Sequence, residues 1–338
     1  MKAAVFHTPR NFKIEDIPYP RLEDDSVIVK VRSCGICGSD LHFYNSWQQD
    51  GTLLGHEFSG DVVEIGKQVT KVKVGDKVVA AGGRGCGECY WCRSGQYRLC
   101  SQLRFVGYAL AGAFAEYCAV PAFKIGEYAA KFPARMAYPE AATAEPLAVA
   151  LYAVNQMQPA RGDTAVVIGL GFIGLCIVRI LKSRGVGCII ASGRRPLRLK
   201  LAKEAGADIV NDAAVSDVYP AVMKATARKG ADLVFECAGN ESSFNQALQI
   251  THRGGKINLV GLFEQPIHWN PSIIAGNDLT LIGCGLRWDL PGAVKLLQQG
   301  IVKAKPLITH HFPLERLQEA FLAQQNDPNA IKVMVDIC

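Results

Sequence analysis

The chain has 338 residues, of which 49% are hydrophobic and 20% charged, with a formal net charge of +6; that is long enough for two domains of ordinary size and a sizeable core. Its basic residues are spread along the sequence rather than gathered in a stripe, which excludes a nucleic-acid partner from the expected ones. No apolar run reaches the ~18 residues that span a bilayer, and the opening MKAAVFHTPRNF lacks the apolar core and cleavage site of a secretory signal, so a cytoplasmic location with no membrane partner is expected.

Taken in chain order, residues 2–6, 27–31, 58–65, 76–80 and 113–120 read as short strands separated by Gly-Asp and similar breakers. They suggest an all-β unit with long functional loops. From about Pro159 the texture changes. Residues 165–168 form a β-branched run, followed by a glycine-rich turn and an amphipathic stretch to Arg184. Further apolar runs lie at 189–191, 231–235, 256–260 and 279–282, with helical patterns at 196–205, 218–228 and 242–252. Strands alternating with helices predict a parallel sheet covered on both faces. After Arg287 the spacing predicts helices over 291–300 and 314–325 and a final strand over 332–337.

Of the twelve cysteines, Cys86, Cys89, Cys92 and Cys100 stand in a C-x2-C-x2-C-x7-C array with Gly85, Gly87 and Gly95 among them. Four thiolates on one short loop make a closed tetrahedral zinc site of the kind that stabilises structure. The competing reading is an iron–sulfur cluster, but such runs usually continue with C-P after three residues and this one does not.

A second metal signal is dispersed: Cys37 in CGICGSDLH, then His56 and Glu57 in LLGHEFSG. A thiolate, an imidazole and a carboxylate are the mixed donors of a catalytic zinc that keeps one position open. Taken singly, Cys37 and His56 also suit a packed core. Ser39 and Asp40 suit the capping of a helix that starts near Leu41.

Gly169, Gly171 and Gly174 complete a G-x-G-x-x-G turn between the 165–168 strand and a helix, the context in which a pyrophosphate rests on a helix N-terminus. Selectivity for NAD usually needs an acid about 20 residues further on. Here the chain reads Ser192-Gly193-Arg194-Arg195, with Arg198 following. No carboxylate repels a 2′-phosphate there and guanidinium groups are at hand, so NADP is expected, with NAD the alternative.

The motifs CGICGSDLH, GHEFSG, VGDKV, the cysteine array, GAFAEY, EPLAVA, GLGFIG and ECAG occur in one order from end to end. In this the sequence resembles the zinc-dependent medium-chain dehydrogenase family, in its polyol (sorbitol-like) and threonine dehydrogenase branch. The resemblance implies an α/β protein with a GroES-like all-β catalytic domain over 1–150, a doubly wound Rossmann domain over 151–288 and a return to the catalytic domain over 289–338. It implies two Zn2+ per chain. Cys37 and His56 would be catalytic ligands, Glu57 would bind directly or through water, and Glu145 would alternate with water. Ser39 and His42 would relay the proton, and Gly169, Gly171, Phe172, Ile173 and Gly174, with Ser192, Gly193, Arg194, Arg195 and Arg198, would hold the dinucleotide.

The substrate would meet Tyr44, Trp47, Arg104 and Arg287, with Phe43, Phe105, Leu286 and Trp288 nearby, although aromatic residues here also suit a core. A secondary alcohol or polyol is expected, with an amino alcohol or sugar derivative as the alternative. A different class, a catalytically silent cofactor-binding protein, would be expected to lack Cys37 or His56. Homo-oligomers, dimeric or tetrameric, are what the resemblance implies.

Overall fold

The computed structural model describes every residue except Pro9, Trp47, Gln48, Lys124, Glu127, Leu286, Arg287, Trp288 and Cys338. The expected substrate contacts Trp47 and Arg287 therefore lie outside the described residues, as do Leu286 and Trp288. The chain divides into two compact units, Met1–Ala148 with Leu286–Cys338, and Val149–Gly285.

The first unit is built on the strand Val27–Gly35, whose VIVKVRSCG sequence is buried at seven of nine positions. β-Branched residues suit a pleated surface packed on both sides. This strand pairs antiparallel with Glu57–Ile65 along most of its length and with Tyr117–Val120 near its start. The strand order of the mixed sheet is Ile308–Pro313, Lys332–Asp336, Val27–Gly35, Glu57–Ile65, Lys77–Ala80 and Ala129–Lys131. The C-terminal strand thus lies beside an N-terminal one, with Met334 opposite Gly35.

Residues 113–116 do not extend the Tyr117–Val120 strand. Their backbone bonds turn to the first strand instead: Ala4 N–H donates to Phe114 O and Glu116 N–H to Lys2 O. The unit also carries helices that an all-β reading omits, among them Gly38–Ser46, Tyr138–Ala142, Leu290–Gln298 and Leu317–Asn326. The helix Ala144–Met157 escaped the sequence pattern because nearly every side of it is buried, which erases the amphipathic period.

An aromatic core joins distant segments of this unit. Phe12 stacks on Tyr44 with ring centroids 5.8 Å apart, and Phe321 lies 4.7 Å from Phe12 and 5.2 Å from Tyr44. Tyr44 is 3% exposed, and its phenol accepts a hydrogen bond from the Gln318 amide. Tyr44, expected to wall the substrate, instead has its ring turned by its helix into the core.

The second unit is a six-stranded parallel sheet in the order Ile209–Asp212, Cys188–Gly193, Thr164–Ile168, Ala231–Glu236, Thr251–Leu259 and Thr280–Gly283. Numbered by sequence this is 3-2-1-4-5-6, the doubly wound order, with its switch point between the first and fourth strands. Pro196–Ala205 forms a helix that stops at Gly206 in the left-handed region. Glu241–Ile250 begins with a reciprocal capping box between Asn240 and Ser243. The pattern over 218–228 yields only Tyr219–Ala225, because Ala227 and Arg228 take positive φ. Among the described residues no helix is long and apolar enough to cross a membrane.

Candidate active site

Strand register assembles the dispersed metal signal. Gly35 lies opposite Glu57, so Cys37, two residues past the end of one strand, meets His56 and Glu57 at the start of its neighbour. One donor atom from each of the three falls within 4.8 Å of the others. Gly35 makes room for this. A Cβ there would stand 2.5 Å from Glu57 Oε2, closer than real contacts allow. Gly55 turns the chain into His56 at φ +94°, with Phe114 and Cys34 filling the space where a side chain would go.

The helix Gly38–Ser46 hangs three further residues on Cys37. Asp40 is fully buried; its Oδ2 accepts the Cys37 N–H at 3.0 Å, and Oδ1 faces His56 Nδ1 at 3.5 Å. Those two facing atoms have no closer partner among the described residues. The arrangement leaves His56 Nε2 as the nitrogen able to bind a metal, with Asp40 orienting the ring from behind. Burial lowers the His56 pKa, but Tyr108, Asp40 and Cys37 together drive it well above its usual value. A cluster that attracts a proton so strongly is one that a dication also suits. Ser39 and His42 sit at i and i+3 of the same helix and so share a face.

Two residues that sequence reasoning missed complete the surroundings. Lys332 Nζ lies 2.5 Å from Glu57 Oε2 and donates to Ile36 O at 3.0 Å, with both charged side chains buried. Desolvation lowers the Lys332 pKa, but the charges of Glu57, Cys37 and Glu145 and the hydrogen bond to Glu57 outweigh it and raise it overall. Tyr108 places its hydroxyl 2.6 Å from Ser39 Oγ and 3.5 Å from His56 Nε2. No motif marks either position; only the pairing of the C-terminal strand and a turn at Gly107 bring them in.

Glu145 is 4% exposed in the first turn of its helix and near enough to act on Lys332, but it is not among the donors that converge within 4.8 Å. Arg104 does not join them either. It is exposed on a two-residue strand and lines a separate cavity of about 610 Å³ beside Cys86.

The four-cysteine array does converge, with all four sulfurs within 4.8 Å of one another. Cys86 Sγ and Cys92 Sγ are 4.0 Å apart, against about 3.8 Å for the edge of a tetrahedron with ~2.3 Å zinc–sulfur bonds. Backbone N–H groups point at the sulfurs: Cys89 N–H at Cys86 Sγ, and Cys86 and Gln102 N–H at Cys100 Sγ. Such donors at Glu88 and Cys89 lower the Cys86 thiol to about 7, which favours thiolate. Gly85 is required here, since a Cβ would lie 2.5 Å from Cys92 Sγ.

In the second unit each glycine of the turn has its own reason. Gly169 takes φ +95° with Cys237 and Ala238 backbone against it, and a Cβ on Gly174 would meet Gly169 O at 2.0 Å. Gly171, the N-cap of helix Phe172–Ser183, faces open space instead, so a ligand can approach the backbone there. Phe172 is buried and Ile173 half-buried, so at these positions the helix start presents backbone rather than side chains.

A cavity of about 680 Å³ opens over this turn, lined among others by Ser192, Gly193, Arg194, Arg195 and Arg198. Ser192 is buried, and its hydroxyl accepts from Asn211. Burial, and then the charge of Arg195, lower the Arg198 pKa to about 10. Two neighbouring guanidinium groups held against their own repulsion favour an anion.

With this geometry in place, comparison with known proteins is direct. Residues 23–129 match the alcohol dehydrogenase GroES-like domain, and residues 173–299 the zinc-binding dehydrogenase family. The chain belongs to the zinc-binding alcohol dehydrogenase family and is an oxidoreductase that uses a nicotinamide dinucleotide. It is 36% identical to sorbitol dehydrogenase of Bacillus subtilis, over 99% of this chain and 97% of that one. It is also 36% identical to L-threonine 3-dehydrogenase of the same organism, over 91% and 90%. Among solved structures, a zinc-binding dehydrogenase of Sinorhizobium meliloti bound to NADP has TM-score 0.90 at 28% identity, over 99% and 98% of the chains. An alcohol dehydrogenase of Escherichia coli CFT073 complexed with NADH has TM-score 0.90 at 30% identity, over 99% of each.

Proposed function

We propose that the protein oxidises a secondary alcohol or polyol to its ketone, or reduces that ketone, with NADP as the preferred nucleotide. The observation that carries the reading is the convergence of Cys37, His56 and Glu57 beside Ser39. These three residues would hold the catalytic zinc, with Glu145 close by, and Cys86, Cys89, Cys92 and Cys100 a structural one. Zinc held by the first set would supply a Lewis acid able to stabilise negative charge on the substrate oxygen. A nicotinamide dinucleotide bound at the second unit's turn would supply the hydride chemistry.

The remaining work falls to this chain's side chains. Ser39 Oγ takes the substrate hydroxyl proton while releasing its own, and His42, one helical turn on, is the next carrier. Asp40 fixes the His56 ring, and Lys332 balances the buried charge of Glu57. Around the nucleotide, the Gly169–Gly174 turn receives the pyrophosphate, and Arg194, Arg195 and Arg198 receive the 2′-phosphate. The relatives named above support a polyol or amino-alcohol substrate. We further propose a cytoplasmic enzyme assembled as a dimer or tetramer.

Metal analysis and a cofactor comparison test this reading. About two zinc ions per chain and a higher kcat/KM with NADPH than NADH are expected. One zinc or none overturns the two-site assignment, and preference for NADH overturns the assignment of the arginines.

A further inference from the structure

Gly55 and Gly107 touch backbone to backbone. Gly107 has φ +85°, and a Cβ on it would lie 2.7 Å from Gly55 O. Each glycine precedes a ring, and their close approach sets His56 and Tyr108 side by side with centroids 5.1 Å apart and planes inclined by 33°. Phe43 and Phe105 pack on the rest of the Tyr108 ring, at 4.8 and 5.8 Å. The phenol oxygen is thereby held beside the Cys37, His56 and Glu57 donors, 2.6 Å from Ser39 Oγ and 3.5 Å from His56 Nε2.

A phenol has one hydrogen and acceptor capacity for two bonds. The contact with Ser39 uses one of these. The 3.5 Å separation from His56 is too long for a good bond, and a metal would engage that nitrogen. Polar capacity therefore remains on Tyr108, beside Ser39 and the His56 nitrogen that a metal would take. Ser39 serves the reacting hydroxyl in the function proposed above, so the oxygen beside it is placed for a neighbouring one.

We infer that the Tyr108 hydroxyl is a specificity-determining group that reads a second hydroxyl on the carbon next to the reacting one, so that the site prefers vicinal diols over simple secondary alcohols. The inference rests on the alcohol dehydrogenase reading of the Cys37, His56 and Glu57 cluster. Its energetic basis is that a half-buried polar group left without its partner penalises the analogue that lacks the hydroxyl.

The test compares 2,3-butanediol with 2-butanol in wild type and Tyr108→Phe, a change that keeps the stacked ring. Loss of kcat/KM of roughly ten- to hundredfold is expected for the diol, with a clearly smaller loss for 2-butanol, which shares only the effect on Ser39. A second readout needs no turnover: calorimetric binding of each alcohol to the complex with reduced nucleotide, where only diol binding should weaken. Equal losses for both alcohols, or no loss for either, overturn the inference while leaving the function standing. Loss of zinc from Tyr108→Phe also overturns it, because the phenol would then be supporting His56. Failure of wild type to oxidise either alcohol sinks the proposed function and this inference together.

Discussion

Lys332 and Glu57 form an ion pair at 2.5 Å in the interior of the first unit, tying the last strand of the chain to the strand that opens with a carboxylate of the candidate metal site. Breaking such a buried pair on one side leaves a charge without compensation and costs about 3–5 kcal/mol. Lys332→Met should therefore destabilise the protein by that order, and Lys332→Arg by less. The loss should be greater after chelation than in zinc-loaded protein, since zinc offsets the Glu57 charge. Urea unfolding of both forms measures it; equal losses would show that Glu57 is not part of the metal site.

Asp40 Oδ1 faces His56 Nδ1 at 3.5 Å, on the side opposite the nitrogen proposed to bind metal. Removal of such a supporting group typically weakens metal affinity 10- to 100-fold. Asp40→Asn should release one zinc per chain at correspondingly lower chelator concentration and leave the four-cysteine zinc in place. Release curves identical to wild type would rule out the orienting role.

Introducing an acid for the ribose at Gly193 is less simple than the sequence suggests. A Cβ at this position would lie 2.9 Å from Leu170 Cδ1 and 3.2 Å from Leu170 Cβ. Gly193→Asp alone should shift preference from NADPH toward NADH and also lower stability by about 1–3 kcal/mol through overpacking. Combined with Leu170→Ala, the shift should remain and part of the stability return. Steady-state kcat/KM with both nucleotides and thermal unfolding check the two halves separately.

Asp232 links its own strand, Ala231–Glu236, to two neighbouring strands and to the bend at Lys229. It accepts from Thr164 N–H at 2.8 Å and Lys229 Nζ at 2.6 Å, and lies 3.0 Å from His252 Nε2. Burial raises its pKa, but the bonds to Lys229 and Thr164 and the nearby charges outweigh it, so the folded value lies below the usual 3.8. A depressed carboxylate stabilises the fold above its unfolded pKa, and that contribution is lost as pH falls through the folded value. Asp232→Asn should cost about 1–3 kcal/mol near neutrality, with the gap to wild type closing progressively below pH ~4. A gap independent of pH in thermal unfolding would refute the charge-based account.

Donor chemistry and local periodicity were legible in the linear sequence because both are short-range. The spacing of Cys86, Cys89, Cys92 and Cys100 permits one loop to close round one ion, and these sulfurs do converge within 4.8 Å. Gly169, Gly171 and Gly174 sit at fixed offsets in a strand–turn–helix, so their separate backbone tasks follow from position alone. The alternation of apolar runs with helical patterns likewise announced a parallel sheet, since such strands need crossover helices.

Tertiary structure decided what depends on long-range register. Lys332 reaches Glu57 across 275 residues because the final strand pairs with Val27–Gly35, and no local pattern encodes that partner. Tyr108 meets Ser39 through two glycines that fit against each other, a contact invisible until both turns are folded. Tyr44 could equally have faced a substrate or the core; the rotation of one helix over the Phe6, Phe12 and Phe321 cluster made it core. Sequence thus determined which chemical groups this protein has for binding metal and nucleotide. Folding determined which of them share a site, because burial and strand pairing act between residues that the sequence keeps far apart.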